Sequence, residues 1–202
     1  MHKFRVVFYK AKWGDGHKID NLIDIWTMLV NLPYVTYKSK LNFKDIWKFI
    51  KGFNYSHVEK WEPNGRGIPR QCDWWNGEMS TSTMRGDYNG TVSRSAREVL
   101  VHPERWDATE FEINSVTYLV VHGWEQDQLD NNLGYSKEDI GKFFPVVRHF
   151  VKDETRNICS EYVHNFMVKC GLFLKFRVLS PRLLAWLIYK ELGKEFKPVK
   201  EL

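Results

Sequence analysis

Residues 4–9, FRVVFY, are apolar and β-branched or aromatic, and the polar, glycine-bearing KWGDG closes them off, so the chain opens with a strand. Ile19, Leu22, Ile23 and Trp26 then recur at helical spacing within IDNLIDIWTMLV and predict an amphipathic helix. Residues 31–53 carry Pro33 and a second helical pattern, FKDIWKFI, and read as a helical insertion. Its Phe43, Ile46, Trp47 and Ile50 fall on one stripe, expected to face the core and leave the lysines in water. Residues 55–62, YSHVEKWE, alternate as a strand: Tyr55, His57, Glu59 and Trp61 on one face, Ser56, Val58 and Lys60 on the other.

After the turn PNGRGIP, residues 68–99 are polar and punctuated by glycine, which predicts short strands and long loops ending at a helix signal, SAREVL. ATEFEI and SVTYLVVHGW read as further strands, DQLDNNLGYS as a loop and KEDIGKFF as a helix. Two helix starts stand out in the last third. In TRNICSEYVHNFMVKCG, Asn157 caps, Glu161 sits in the first turn and Gly171 stops the helix. In LSPRLLAWLIYKELGKE, Ser180 is the N-cap and Pro181 the first helical residue. The pattern is α+β, a central antiparallel sheet packed by helices, in a single domain spanning 1–202.

With 43% hydrophobic and 15% aromatic residues, the chain excludes a disordered class. The net charge of +5 is small for 202 residues, so no nucleic-acid partner is expected, although NFKDIWKFIKGF interleaves rings and lysines. Cys72, Cys159 and Cys170 form an odd set without a CxxC pair, which argues against a disulfide framework and a zinc site; no metal or cofactor is expected. Apolar runs are too short for a membrane span or a secretory leader, and the expected location is the cytoplasm.

Cys159 lies at the start of its helix, where unpaired N–H groups and the dipole favour a thiolate and could hold an oxyanion. The bland reading is that a free cysteine simply packs, and Cys170, eleven positions on, is assigned that role. His57 is the candidate base, with Glu59 on the same face as a candidate orienter of its ring. Among six other histidines, His164 sits about 140° around the helix from Cys159, a poor position for a base. A polar cleft of Arg85, Asp87 and Tyr88 would suit a peptide-like substrate, and Trp74 and Trp75 could line a pocket or the core.

Three segments, YSHVEKW at 55–61, STSTMRGDYNGTV at 80–92 and NICSEYVHNFM at 157–167, together with LSPRLL at 179–184, give the chain a resemblance to a known family. It resembles the circularly permuted, NlpC-like branch of papain-like cysteine peptidases, which includes the YiiX-like proteins and has the histidine strand before the cysteine helix. The resemblance implies a cysteine hydrolase that cleaves an amide in a peptide or peptidoglycan stem, with Cys159 as nucleophile and His57 as base. Glu59 is the third residue, with Glu78, Ser80 and Ser82 as rivals. Tyr55, Ser80, Ser82, Arg85 and Tyr88 are the implied substrate contacts. An acyltransferase or thioesterase on the same scaffold is the alternative, and a non-catalytic protein binding a host factor is a third. The wording of YSHVE and TSTMRGDYNG is similar to that of phage-encoded members, which implies a host cytoplasm. Oligomeric state is left open.

Overall fold

The run FRVVFY has apolar residues on both of its faces, and the chain buries both by making it a central strand. The structure, a computed structural model, describes residues 1–11, 18–63, 77–83, 87–132, 134, 158–173 and 180–201. Within them β1 (His2–Lys10), β2 (Tyr55–Glu62), β3 (Glu78–Thr83), β4 (Gly90–Ser95), β5 (Trp106–Ile113) and β6 (Lys197–Pro198) form one antiparallel sheet in the order β4-β3-β2-β1-β5-β6. Residues opposite each other across a ladder share a face. Phe4, Val6 and Phe8 therefore lie with Phe111 and Val58 on one face, and Val7 lies with Ala108 on the other.

The helices among the described residues are α1 (Lys18–Lys38), α2 (Phe43–Gly52), α3 (Ala96–Val99), α4 (Ser115–Asn131), α5 (Cys159–Lys169) and α6 (Pro181–Leu192). The Phe4–Val6–Phe8 face packs on the apolar sides of α5 and α6, through Tyr162, Val163, Phe166, Met167, Leu183, Leu184 and Leu187. The opposite face carries a smaller cluster of Val7, Trp61, Met79, Trp106 and Ala108 with Ala96, Leu100 and Val199. An α+β architecture around an antiparallel sheet thus matches the sequence reading. Among the described residues no helix is long and apolar enough to cross a membrane.

Caps explain most boundaries. Ser180 accepts from Leu183 N–H at 3.1 Å ahead of Pro181, as the sequence predicts, and Gly193 ends α6 at φ +62°. Ile158 N–H donates to Glu161 Oε2 at 3.3 Å at the start of α5. SVTYLVVHGW is not a strand. Asn114 accepts from Thr117 N–H at 2.8 Å, nucleating α4, which runs on through DQLDN to a left-handed Asn132. Its β-branched residues gave the strand signal, and the cap with tertiary packing overrides it. Residues 31–38 are not part of an insertion either, since α1 continues through Pro33.

Arg182, buried on α6, ties three elements together. Its Nε and Nη2 donate to Asp24 of α1 at 2.9 and 2.6 Å, Nη1 donates to the Phe49 and Ile50 carbonyls at the end of α2, and Nη2 also reaches Asn54 Oδ1 at 2.8 Å. The fork satisfies helix-end carbonyls that would otherwise lack partners. The expected helix KEDIGKFF, Cys72, Trp74, Trp75 and the expected cap Asn157 lie outside the described residues.

Candidate functional site

The β1–β2 ladder pairs Val7 with Glu59, Phe8 with Val58 and Tyr9 with His57, but Lys10 with Tyr55, so the register slips beside Ser56. His57, Glu59 and Trp61 share the face of the smaller cluster, as strand alternation predicts. Tyr55 does not join them: the slip turns it to the helix face, against Phe8 at 5.0 Å between ring centroids. There its hydroxyl donates to Asp107 Oδ2 at 2.9 Å. Burial, with the Asp107 carboxylate adding to it, pushes that phenol far above its usual range.

His57 Nε2 lies 3.1 Å from Glu59 Oε1, so the expected ring–carboxylate contact is present. Arg94 Nη2 donates to the same oxygen at 2.5 Å, and the imidazole meets Trp106 edge-on at 6.4 Å. Arg94 escapes a reading of the sequence because its place depends on the β3–β4 register, which sets it opposite Met79.

Cys159 opens α5 as expected, yet it is only 5% exposed and belongs to the cluster on the helix face. His57 belongs to the other face, so the sheet backbone stands between thiol and imidazole. The structure does not bring Cys159 and His57 together. Alternation fixes which strand residues share a face, but nothing in a single strand says which face a helix a hundred residues later will cover. Cys170 is a packing residue, its thiol pushed up to about 12 by burial. His164 is buried, and desolvation holds it down to about 4.

Beneath α4 and α5, on the helix face, lies a buried polar network. Lys60 donates to Glu62 Oε1 at 2.8 Å and Glu125 Oε2 at 2.5 Å. Ser80 and Tyr162 hydroxyls donate to Glu125 Oε1 at 2.5 and 2.9 Å. Burial alone would raise the Glu125 carboxyl, but the Lys60 ammonium and these donors outweigh it, and the net shift is downward. Ser80, one of the expected substrate contacts, is thus committed to holding a buried carboxylate, and Ser82 is buried as well. Tyr88 stands at the surface, donating to Glu98 Oε1 at 3.0 Å, Glu78 accepts from Ser93 at 3.1 Å, and Arg85 lies outside the described residues. Glu125 was invisible as a partner because it falls between SVTYLVVHGW, which reads as strand, and the loop reading that follows, so the helix that turns it inward is not legible.

At the corner between α1 and α2 the expected core stripe splits: Ile50 packs against the core and Ile46 is half-buried, but Phe43 and Trp47 point outward. Phe43 is 85% and Trp47 63% exposed, whereas Asp45 and Phe49 are the buried positions of α2. Tyr37 and Leu41 are 83% and 68% exposed, with Tyr34 beside them. Asp45, bonded to Lys190, and the Trp186 Nε1–H donating to the Asp45 carbonyl at 3.3 Å rotate α2 into this orientation. Lys40 and Lys44 are exposed at the same corner, and Lys51 is exposed about two turns further along α2. Lys51 lies 5.6 Å from the Trp47 ring centroid. Among the described residues no group of three His, Cys, Asp or Glu side chains is placed to hold a metal ion.

Compared with known proteins, the chain matches no family model, no curated protein and no solved structure.

Proposed function

We propose that the protein is a non-catalytic binding protein whose working surface is the α1–α2 corner. One observation carries this reading: Tyr37, Leu41, Phe43 and Trp47 are held in solvent beside exposed lysines. Tyr34 and Tyr37 lie one turn apart at the end of α1, Phe43 and Trp47 one turn apart at the start of α2, and Leu41 stands in the turn that joins the two helices. These exposed apolar side chains thus gather on the two helix ends and the turn between them, and apolar surface rimmed by charge marks interaction sites. In this reading Cys159 packs, and His57, Glu59 and Arg94 hold the sheet.

A second reading keeps the permuted papain-like hydrolase or acyltransferase. It draws on the order of histidine strand and cysteine helix and on the oriented His57–Glu59–Arg94 group. It needs a rearrangement that carries Cys159 out of its apolar cluster to the imidazole. Both readings suit a reducing cytoplasm, where the thiols of Cys159 and Cys170 persist.

Thiol labelling separates the two. The folded chain, its His57→Ala variant and the urea-unfolded chain are treated with iodoacetamide at neutral pH, and labelled sites are read by mass spectrometry. The binding reading expects Cys159 to label far more slowly folded than unfolded, at a rate His57→Ala leaves alone. Fast labelling of folded Cys159 that vanishes in His57→Ala overturns it in favour of the hydrolase.

A further inference from the structure

We infer that the α1–α2 corner docks on an anionic phospholipid bilayer, with Leu41, Phe43 and Trp47 entering the headgroup boundary and Lys40, Lys44 and Lys51 facing the lipid phosphates. This rests on the corner being the working surface and names its partner.

Charge comes first. Between Asp24 and Glu59 the chain has five lysines and one carboxylate, Asp45, which is turned inward onto Lys190. Lys38 is matched by Glu191 at 3.1 Å and Lys48 lies 3.6 Å from the Tyr189 ring centroid, but Lys40, Lys44 and Lys51 face no carboxylate within salt-bridge distance among the described residues. The corner is thus a local positive field on a chain of small net charge, and it complements an anionic surface.

The apolar groups select a bilayer over a nucleic acid. The tip is Leu41 and Phe43, which have no polar handle, while the amphipathic rings of Tyr37 and Trp47 flank it. That is the arrangement of an interfacial anchor: aliphatic and phenyl groups deepest, Tyr and Trp at headgroup level, lysines around them. Base stacking would gain nothing from Leu41, and the segment has no arginine to pair with a phosphodiester.

The backbone points the same way. Lys40 and Leu41 both adopt positive φ, 49° and 60°, where glycine is the easy residue. Leu41 N–H donates to the Thr36 carbonyl at 3.2 Å and Asn42 N–H to the Ser39 carbonyl at 3.0 Å, so these backbone N–H groups of the turn are bonded. Asn42 Oδ1 then accepts from Lys44 N–H at 3.0 Å to start α2. The chain thus holds a bulky apolar side chain outward in a conformation that costs such residues free energy, and burial in a lipid interface would offset that cost.

The test is co-sedimentation of the full chain with vesicles of equal parts phosphatidylcholine and phosphatidylglycerol, against vesicles of phosphatidylcholine alone. Binding is expected to the anionic vesicles only, to weaken as salt rises, and to fall roughly fivefold for each of Lys40→Ala, Lys44→Ala and Lys51→Ala. The pair Leu41→Ser, Phe43→Ser is expected to lower it by roughly tenfold or more. These side chains are exposed, so the variants keep the wild-type circular dichroism and melting temperature. Absence of binding, equal binding to both vesicles, or undiminished binding of the Leu41→Ser, Phe43→Ser pair overturns the lipid assignment. A single-stranded oligonucleotide that displaces the vesicles, or a concentration-dependent dimer that quenches on Trp47→Phe, overturns it too while leaving the corner a binding surface. Fast His57-dependent labelling of Cys159 strikes instead at the reading beneath it.

Discussion

Replacing Lys60 with methionine tests the packing of the helix face, because it keeps the stem and removes the ammonium that Glu62 and Glu125 share. Both carboxylates are about as buried as the lysine, so the variant would hold two unscreened negative charges against the sheet. Breaking a buried pair from one side costs roughly 3–5 kcal/mol. The lower part of that range applies, since Ser80 and Tyr162 still donate to Glu125. The variant relieves the strain by protonating one carboxyl, which reverses the wild-type situation.

In the wild type the Glu125 carboxyl is net lowered on folding, so its contribution is present above the unfolded-state value and is lost as pH falls through the folded one. In Lys60→Met the retained proton puts the folded value above the unfolded one. Relative to wild type, its stability should then rise as pH falls from about 7 toward 5, by about 1.4 kcal/mol per pH unit, while the His164 contribution common to both cancels. Urea unfolding followed by tryptophan fluorescence across that range measures the difference. The double variant Lys60→Met, Glu125→Gln should lie closer to wild type than the single one. A single variant as stable as wild type near neutrality, or a deficit that grows on acidification, would refute the reasoning.

Two further outcomes follow from buried groups elsewhere. Arg182→Met strands Asp24 and the carbonyls of Phe49 and Ile50, and should cost roughly 3–5 kcal/mol in urea unfolding, with loss of the α1–α6 contact seen as faster amide exchange in α1. His164 is held near 4 by burial, below its unfolded value, so the unfolded chain takes up its proton first. Stability should therefore fall as pH drops from about 6.5 toward 4, by about 1.4 kcal/mol per unit, and His164→Gln should flatten that slope in the same assay.

Strand β2 is legible from its alternation, and α6 from Ser180 and Pro181, because those signals are local. The His57–Glu59 contact is legible for the same reason, as it needs only two side chains on one strand face. What depends on distant pairing is not. The slip at Ser56 that reverses Tyr55 comes from the partner strand, and the outward turn of Phe43 and Trp47 comes from Asp45 and Trp186 anchoring the opposite side of α2. Helix α4 shows a third case: the Asn114 cap outweighs a β-branched run whose period fits a strand equally well. Separation of Cys159 from His57 is the most consequential, since each residue occupies the local setting its chemistry would want.

That separation is also the claim most open to direct measurement. Following the His57 ring protons by NMR as pH is varied reports whatever charge sits beside the imidazole. The opposite-face arrangement predicts that Cys159→Ala leaves the His57 titration curve superimposable on wild type, while Glu59→Gln, which alters the oxygen facing the ring, displaces it. A curve displaced by Cys159→Ala would place the thiol next to the imidazole and contradict the account.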